Sequence, residues 1–123
     1  MIRTKLTEML GIKYPIIGGT MMHLSRPDFA AAISDSGCLG ILASAIYLDK
    51  ESFRDAIRKI RRKTDKPFGV NLNMFPTRKK LDNNVYIDVI LEEAVPVVET
   101  SGHKAPEEYV DRLKSAGVKL IHK

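Results

Sequence analysis

The sequence predicts an α/β protein built on a parallel sheet, and three observations carry that expectation. Five short runs rich in Ile, Val and Leu have the length and composition of buried strands. Segments with apolar residues at helical spacing lie between them. Strand starts recur at roughly 22–30 residues, the length of one strand-plus-helix unit, which implies right-handed crossovers.

The elements follow in order. Ile16-Ile17 leads into Gly18-Gly19 as the first strand. Ser25 is the expected cap of the first helix, with Pro27 in its opening turn and Asp28 three residues after the cap. Phe29, Ala32, Ile33 and Ser36 share one face of it, and Gly37 ends it in the left-handed conformation. Leu39–Ser44 is the second strand. Phe53, Ala56, Ile57 and Ile60 then form the apolar stripe of a helix whose other faces carry Arg58, Lys59, Arg61 and Arg62. Phe68–Asn73 is the third strand. A helix over residues 84–94 follows, with Val85, Val89 and Ile90 inward. Pro96–Thr100 is the fourth strand. Pro106 opens the last helix, Glu107-Glu108 suit its positive end, and Tyr109, Val110, Leu113 and Ala116 face inward before Gly117. Lys119–His122 is the fifth strand.

Composition removes several function classes. With 44% apolar and 28% charged residues, the chain is an ordinary globular mixture rather than a disordered one. A net charge of +5, 7% aromatics and no Trp make a poor base-stacking surface, so no nucleic-acid partner is expected. No apolar run approaches the ~20 residues of a membrane span. Met1-Ile2-Arg3-Thr4-Lys5 lacks the layout of a secretion signal. One cysteine excludes an internal disulfide framework and fits a reducing compartment. A soluble, cytoplasmic, single-domain protein is expected.

Parallel α/β folds bind ligands beyond the carboxyl ends of their strands. Those ends here are Gly18-Gly19-Thr20-Met21-Met22, Ser44, Asn71 with Asn73, the run Glu99–Lys104, and His122-Lys123. The polar residues suit a small-molecule site, although every strand must also meet water somewhere. Gly18-Gly19 lacks the G-x-G-x-x-G spacing of a dinucleotide fold. The pair serves either close approach of a flat ligand or a tight turn. Asn71 inside an apolar strand needs a partner, from a ligand or a neighbouring loop. The histidines are dispersed and give no metal-ligand spacing, so no metal site is expected. His103 and His122 lie on the ligand rim, where either has the chemistry of a base. Cys38, at the opposite end of the sheet, reads as small packing. Arg58–Lys63 reads as a solvated helix face. Arg78–Lys80 is either a plain surface loop or a holder of an anionic group.

Four blocks in order resemble the nitronate monooxygenase family, formerly 2-nitropropane dioxygenases. They are Leu6–Met22, Ser36–Leu42, Lys66–Leu72 and Val98–Gly102. Flavin-dependent enoyl-acyl-carrier-protein reductases share them. The resemblance implies the N-terminal part of a (β/α)8 TIM barrel, about five parallel strands and four helices. It implies FMN as cofactor, with Gly19, Thr20, Met21 and Met22 lining the flavin ring, Asn71 hydrogen-bonding it, and Lys123 on the cofactor side. It implies oxidation of alkyl nitronates with oxygen or, alternatively, enoyl reduction, on a small-molecule substrate. Three positions depart from the family: Gly18-Gly19-Thr20-Met21 stands where Gln-Gly-Gly-Met is common, differing at Gly18 and Thr20, and Cys38 stands where glycine is usual.

A full barrel of this kind takes ~250 residues. Residues 1–123 are therefore expected to be a single partial-barrel domain, truncated after the fifth strand. The family's catalytic histidine and phosphate grip belong to later strands, so no catalytic residue is assigned here. The expected fragment is inactive alone, leaves its concave face open to water, and self-associates or binds a missing C-terminal half. A non-catalytic, self-associating α/β module is the remaining alternative.

Overall fold

The computed structural model describes residues 2–77 and 80–123. Its elements are α1 (Lys5–Leu10), β1 (Ile17–Gly18), a 3₁₀ turn (Met22–Leu24), α2 (Pro27–Asp35), β2 (Leu39–Ala43), α3 (Lys50–Lys63), β3 (Phe68–Asn73), α4 (Asn83–Glu92), β4 (Val97–Ser101), α5 (Glu107–Ser115) and β5 (Lys119–His122). The strands form one sheet in the order β1-β2-β3-β4-β5, and every pairing is parallel.

Strand order decides between the parallel architectures. Doubly wound sheets reverse direction at a switch point and so scramble the order. Here each strand pairs with the next in sequence, which is the winding of a barrel. The sheet is also curled. In a flat sheet β1 and β4 would lie three spacings, about 14 Å, apart. Yet Thr20 Oγ1, just past β1, is 2.5 Å from Glu99 Oε1 on β4.

The two faces of the sheet have separate cores. Outward residues Leu42, Val70, Leu72 and Val98 pack with Phe53, Ile57, Tyr86 and Ile90 of the helices. Inward residues Leu39, Ile41 and Val97 pack with Leu10 and Ile12. The concave floor was expected to meet water, and it does not: Leu39, Ile41 and Val97 are at most 1% exposed. The cause is α1, which the sequence reading did not anticipate. Thr4 and Thr7 cap its start reciprocally, Gly11 closes it at φ 68°, and its Leu6 and Leu10 cover the bottom of the curled sheet.

Helix α2 buries a different face from the one its periodicity suggested. Pro27, Ala30, Ala31 and Ser34 are inside, while Phe29 is 42% exposed. The small face wins because Gly40 on β2 lets the helix backbone come very close, and Ser34 Oγ accepts the Gly40 N–H at 2.9 Å. Ile33 reaches Gly18 of β1 instead. Ser25 is not the cap of α2, whose N-cap is Arg26; the Ser25 hydroxyl accepts from Met21 N at 2.7 Å and holds the loop after β1. In α4, Tyr86 and Ile87 are buried along with Val89 and Ile90, and Val85 is only partly so. In α5, Tyr109 and Leu113 are buried but Ala116 is exposed.

Candidate functional site

The register of the ladder places polar side chains at one end of the concave face. Asn71 on β3 is the Cα partner of Glu99 on β4, and Asn73 of Ser101. Side chains alternate across a strand, so Asn71, Glu99 and Ser101 point inward above the apolar floor.

Glu99 is the hub. It is 3% exposed, and its Oε1 accepts from Thr20 Oγ1 at 2.5 Å and from Asn71 Nδ2 at 2.8 Å. Lys123 Nζ lies 3.6 Å from the same oxygen and 3.5 Å from the Thr20 carbonyl. The second Asn71 amide hydrogen goes to Ser101 Oγ at 2.8 Å. Burial of a carboxylate is tolerable only with such partners, and three donors from three strand ends supply them. Gly19 sits beside this cluster without protein packed on its Cα. A β-carbon there would find only Lys123 Nζ at 3.6 Å and Glu99 Oε2 at 3.9 Å.

The structure thus brings together Gly19, Thr20, Asn71 and Lys123. Met21 and Met22 lie in the loop on the same rim, 48% and 42% exposed, and Met22 adopts a positive φ of 41°. Non-glycine residues hold that conformation at a cost, which is common where a loop is shaped for a ligand. Glu99 and Ser101 were not singled out from the sequence. The available signal was a carboxylate two residues into an apolar strand, in the neighbouring unit to an amide similarly placed in Phe68–Asn73. Asn71 finds its partners on β4, not in a loop.

The other polar candidates do not join the cluster. His122 points to the helix side of the sheet, where its Nδ1 is 2.7 Å from Thr100 Oγ1. His103 stacks edge-on against Phe75 at 4.7 Å on the outer rim. Arg78 and Lys79 lie outside the described residues. Lys80 donates to Asn83 Oδ1 at 2.7 Å at the start of α4, and burial pulls its amine below the usual lysine range. Cys38 is half-buried and lines a cavity of about 480 Å³ with Ile12, Lys13 and Pro67 at the opposite end of the strands. Among the described residues no helix is long and apolar enough to cross a membrane.

A sequentially wound, curled parallel sheet of five strands, with its polar cluster at the carboxyl rim, defines part of a (β/α) barrel. Comparison with known proteins makes the class specific: the nitronate monooxygenase family model matches residues 3–123, and the chain belongs to that family. It is 39% identical, over 123 residues, to a (3aS,4S,5R,7aS)-5-hydroxy-7a-methyl-1-oxo-octahydro-1H-indene-4-carboxyl-CoA dehydrogenase of Rhodococcus jostii, covering 98% of this chain and 32% of that protein. It is 29% identical to a "probable nitronate monooxygenase" of Staphylococcus aureus, covering 97% of this chain and 42% of the other. Among solved structures, FabK of Thermotoga maritima superposes with a TM-score of 0.88 at 38% identity, covering 99% of this chain and 37% of that one. A nitroalkane oxidase of Streptomyces ansochromogenes superposes at 0.81 with 24% identity over 97% of this chain and 42% of that one, which speaks to the fold alone. The chain spans about a third of the length of its curated dehydrogenase relative. The curated relatives, a dehydrogenase and a probable monooxygenase, are oxidoreductases by name.

Proposed function

We propose that the chain forms the ring-binding part of an FMN-dependent oxidoreductase of the nitronate monooxygenase type, acting on alkyl nitronates with oxygen. The observation that carries this reading is the bare Gly19 beside a buried polar cluster at the carboxyl rim. The residues suit a planar heteroaromatic ring. Gly19 leaves space for a flat face, Met21 and Met22 offer exposed apolar, polarisable surface, and Lys123 supplies a cation. When bound, a flavin would supply the redox chemistry itself. The protein's part is to hold Lys123 Nζ over the shelf through Glu99 and the Thr20 carbonyl, and to fix Asn71 between Glu99 and Ser101. The Lys123 ammonium favours negative charge developing near it.

An acyl-thioester substrate, with reduction of an enoyl group, is the second reading. Its support is the identity pattern: 38% and 39% to FabK and the CoA dehydrogenase, against 29% to the monooxygenase relative. Because the chain spans 32% of that dehydrogenase, full turnover is proposed to need the remaining length, supplied covalently or by association, and the isolated chain to be inactive or nearly so.

The test is to mix purified chain with FMN and pass it through gel filtration. Yellow protein eluting at stoichiometric flavin supports the cofactor assignment, and colourless protein at all loadings refutes it. Oxygen uptake with propyl-2-nitronate, against NADH oxidation with crotonyl-CoA, separates the two substrate readings. Turnover of either by the isolated chain would refute the claim of inactivity. Light scattering on the same sample reports self-association, which the partial barrel and the non-catalytic module share; self-association without flavin binding is the mark of the non-catalytic module.

A further inference from the structure

The Glu99 carboxylate is asymmetric in its surroundings. Three donors, Thr20 Oγ1, Asn71 Nδ2 and Lys123 Nζ, converge on Oε1. Oε2 takes no hydrogen bond from any described residue. It is not sealed in either: among the described residues Ser44 Oγ is the fully enclosed side-chain polar atom left without a partner. Oε2 opens toward Gly19, 3.9 Å from where a β-carbon would stand, and Lys123 Nζ is 3.6 Å from the same point. The mouth therefore presents a hydrogen-bond acceptor next to a donor, both within reach of one small open volume. An acceptor-only carboxylate repels phosphate and carboxylate groups, and the neighbouring ammonium repels amines. The complementary group is neutral and carries an N–H beside a C=O.

We infer that Glu99 is a ligand-binding residue, its Oε2 accepting the N–H of a planar lactam or imide edge while Lys123 Nζ donates to the adjacent carbonyl. Given the flavin reading, on which this rests, the imide is the pyrimidinedione end of the ring, whose N–H in the oxidised state is at N3. The orientation of Glu99 is enforced by its other contacts. In Glu99→Gln the carbonyl oxygen must stay at the Oε1 position to satisfy Thr20 and Asn71. The new NH₂ then replaces Oε2 and faces the ligand N–H, donor against donor.

The experiment titrates the chain with lumiflavin, which lacks the ribityl phosphate, and with N3-methyllumiflavin, reading fluorescence quenching and the Glu99 carboxyl ¹³C resonance. Lumiflavin is expected to bind at least about tenfold more tightly and to move the Glu99 resonance, as expected when a site built for an N–H meets an analogue lacking it. In Glu99→Gln that preference is expected to fall to within about twofold. Equal binding of the two rings by the wild-type chain overturns the assignment of Glu99 and leaves the flavin reading intact. A preference that survives Glu99→Gln also overturns it, because the bulk of the methyl group then explains the difference. Binding of neither ring overturns both. Should Glu99→Gln fail to fold, the wild-type comparison and the Glu99 resonance still decide.

Discussion

Replacing Gly40 by alanine on β2 and replacing Gly19 by alanine just past the end of β1 are the same chemical change, and they are expected to have opposite consequences. A β-carbon on Gly40 would stand 1.9 Å from the Ala30 carbonyl oxygen, 2.7 Å from its carbon and 2.9 Å from Ser34 Oγ. The obstacle is helix backbone, so α2 must retreat by about 1 Å or more to restore ordinary contact. That retreat opens the packing of Ala30 and Ala31 and breaks the buried bond from Gly40 N to Ser34 Oγ. Overpacking costs about 1–3 kcal/mol and the lost bond, with a buried donor left over, about 1–3 more. Gly40→Ala should thus lose about 2–6 kcal/mol, out of the 5–15 typical of a domain. In a chain of this size that lowers the thermal midpoint by roughly 10 °C or more, or prevents folding. Gly19→Ala meets no atom closer than 3.6 Å and should keep the wild-type midpoint within about 0.5 kcal/mol, while filling the space offered to a flat ligand. Urea titrations followed by circular dichroism, with flavin fluorescence on the folded variant, measure both. A Gly40→Ala variant within about 1 kcal/mol of wild type, or a Gly19→Ala variant equally destabilised, would refute the reasoning.

Three other outcomes are expected. Ala94 holds φ 52° after α4, the role that Gly11, Gly37 and Gly117 play after α1, α2 and α5; Ala94→Gly should relieve about 0.5–1 kcal/mol of strain and raise the urea midpoint. The guanidinium groups of Arg58 and, next, Arg54 hold Glu93 below the usual carboxylate range, against the opposing effect of burial. A depressed carboxyl contributes stability present above its ordinary value of 4.5 and lost as pH falls below it; because solvent screens the half-exposed Arg58, Glu93→Gln should cost about 1 kcal/mol at pH 7 and flatten the acid limb of a stability–pH curve. Burial pushes the Tyr86 hydroxyl above its ordinary 10.0, and that hydroxyl donates to the Tyr47 carbonyl at 2.7 Å. Its contribution is complete below pH 10 and lost above it, so Tyr86→Phe should cost about 1 kcal/mol at pH 7 and reduce the alkaline loss of stability.

The alternation of strands and helices was legible in the sequence because period and punctuation are local. The stripe Phe53, Ala56, Ile57, Ile60 and the glycine stops at Gly37 and Gly117 need no knowledge of the rest of the chain. Rim residues Gly19, Thr20, Asn71 and Lys123 were legible too, since a strand's carboxyl end can be read from where its apolar run breaks. What was not legible depends on distance across the fold. Helix α1 is six residues long, too short for periodicity to announce, and becomes a lid on the concave floor only because the sheet curls beneath it. α2 has apolar residues on two faces, and only Gly40 on another strand selects which one packs. Glu99 read as one more polar residue near a strand end. Curling brings Thr20, Asn71 and Lys123, separated by as many as 103 positions in sequence, onto one of its oxygens and leaves the other facing the mouth. Residue type and period are properties of the chain; a carboxylate's partners are properties of the closed surface, and no window along the sequence contains them all.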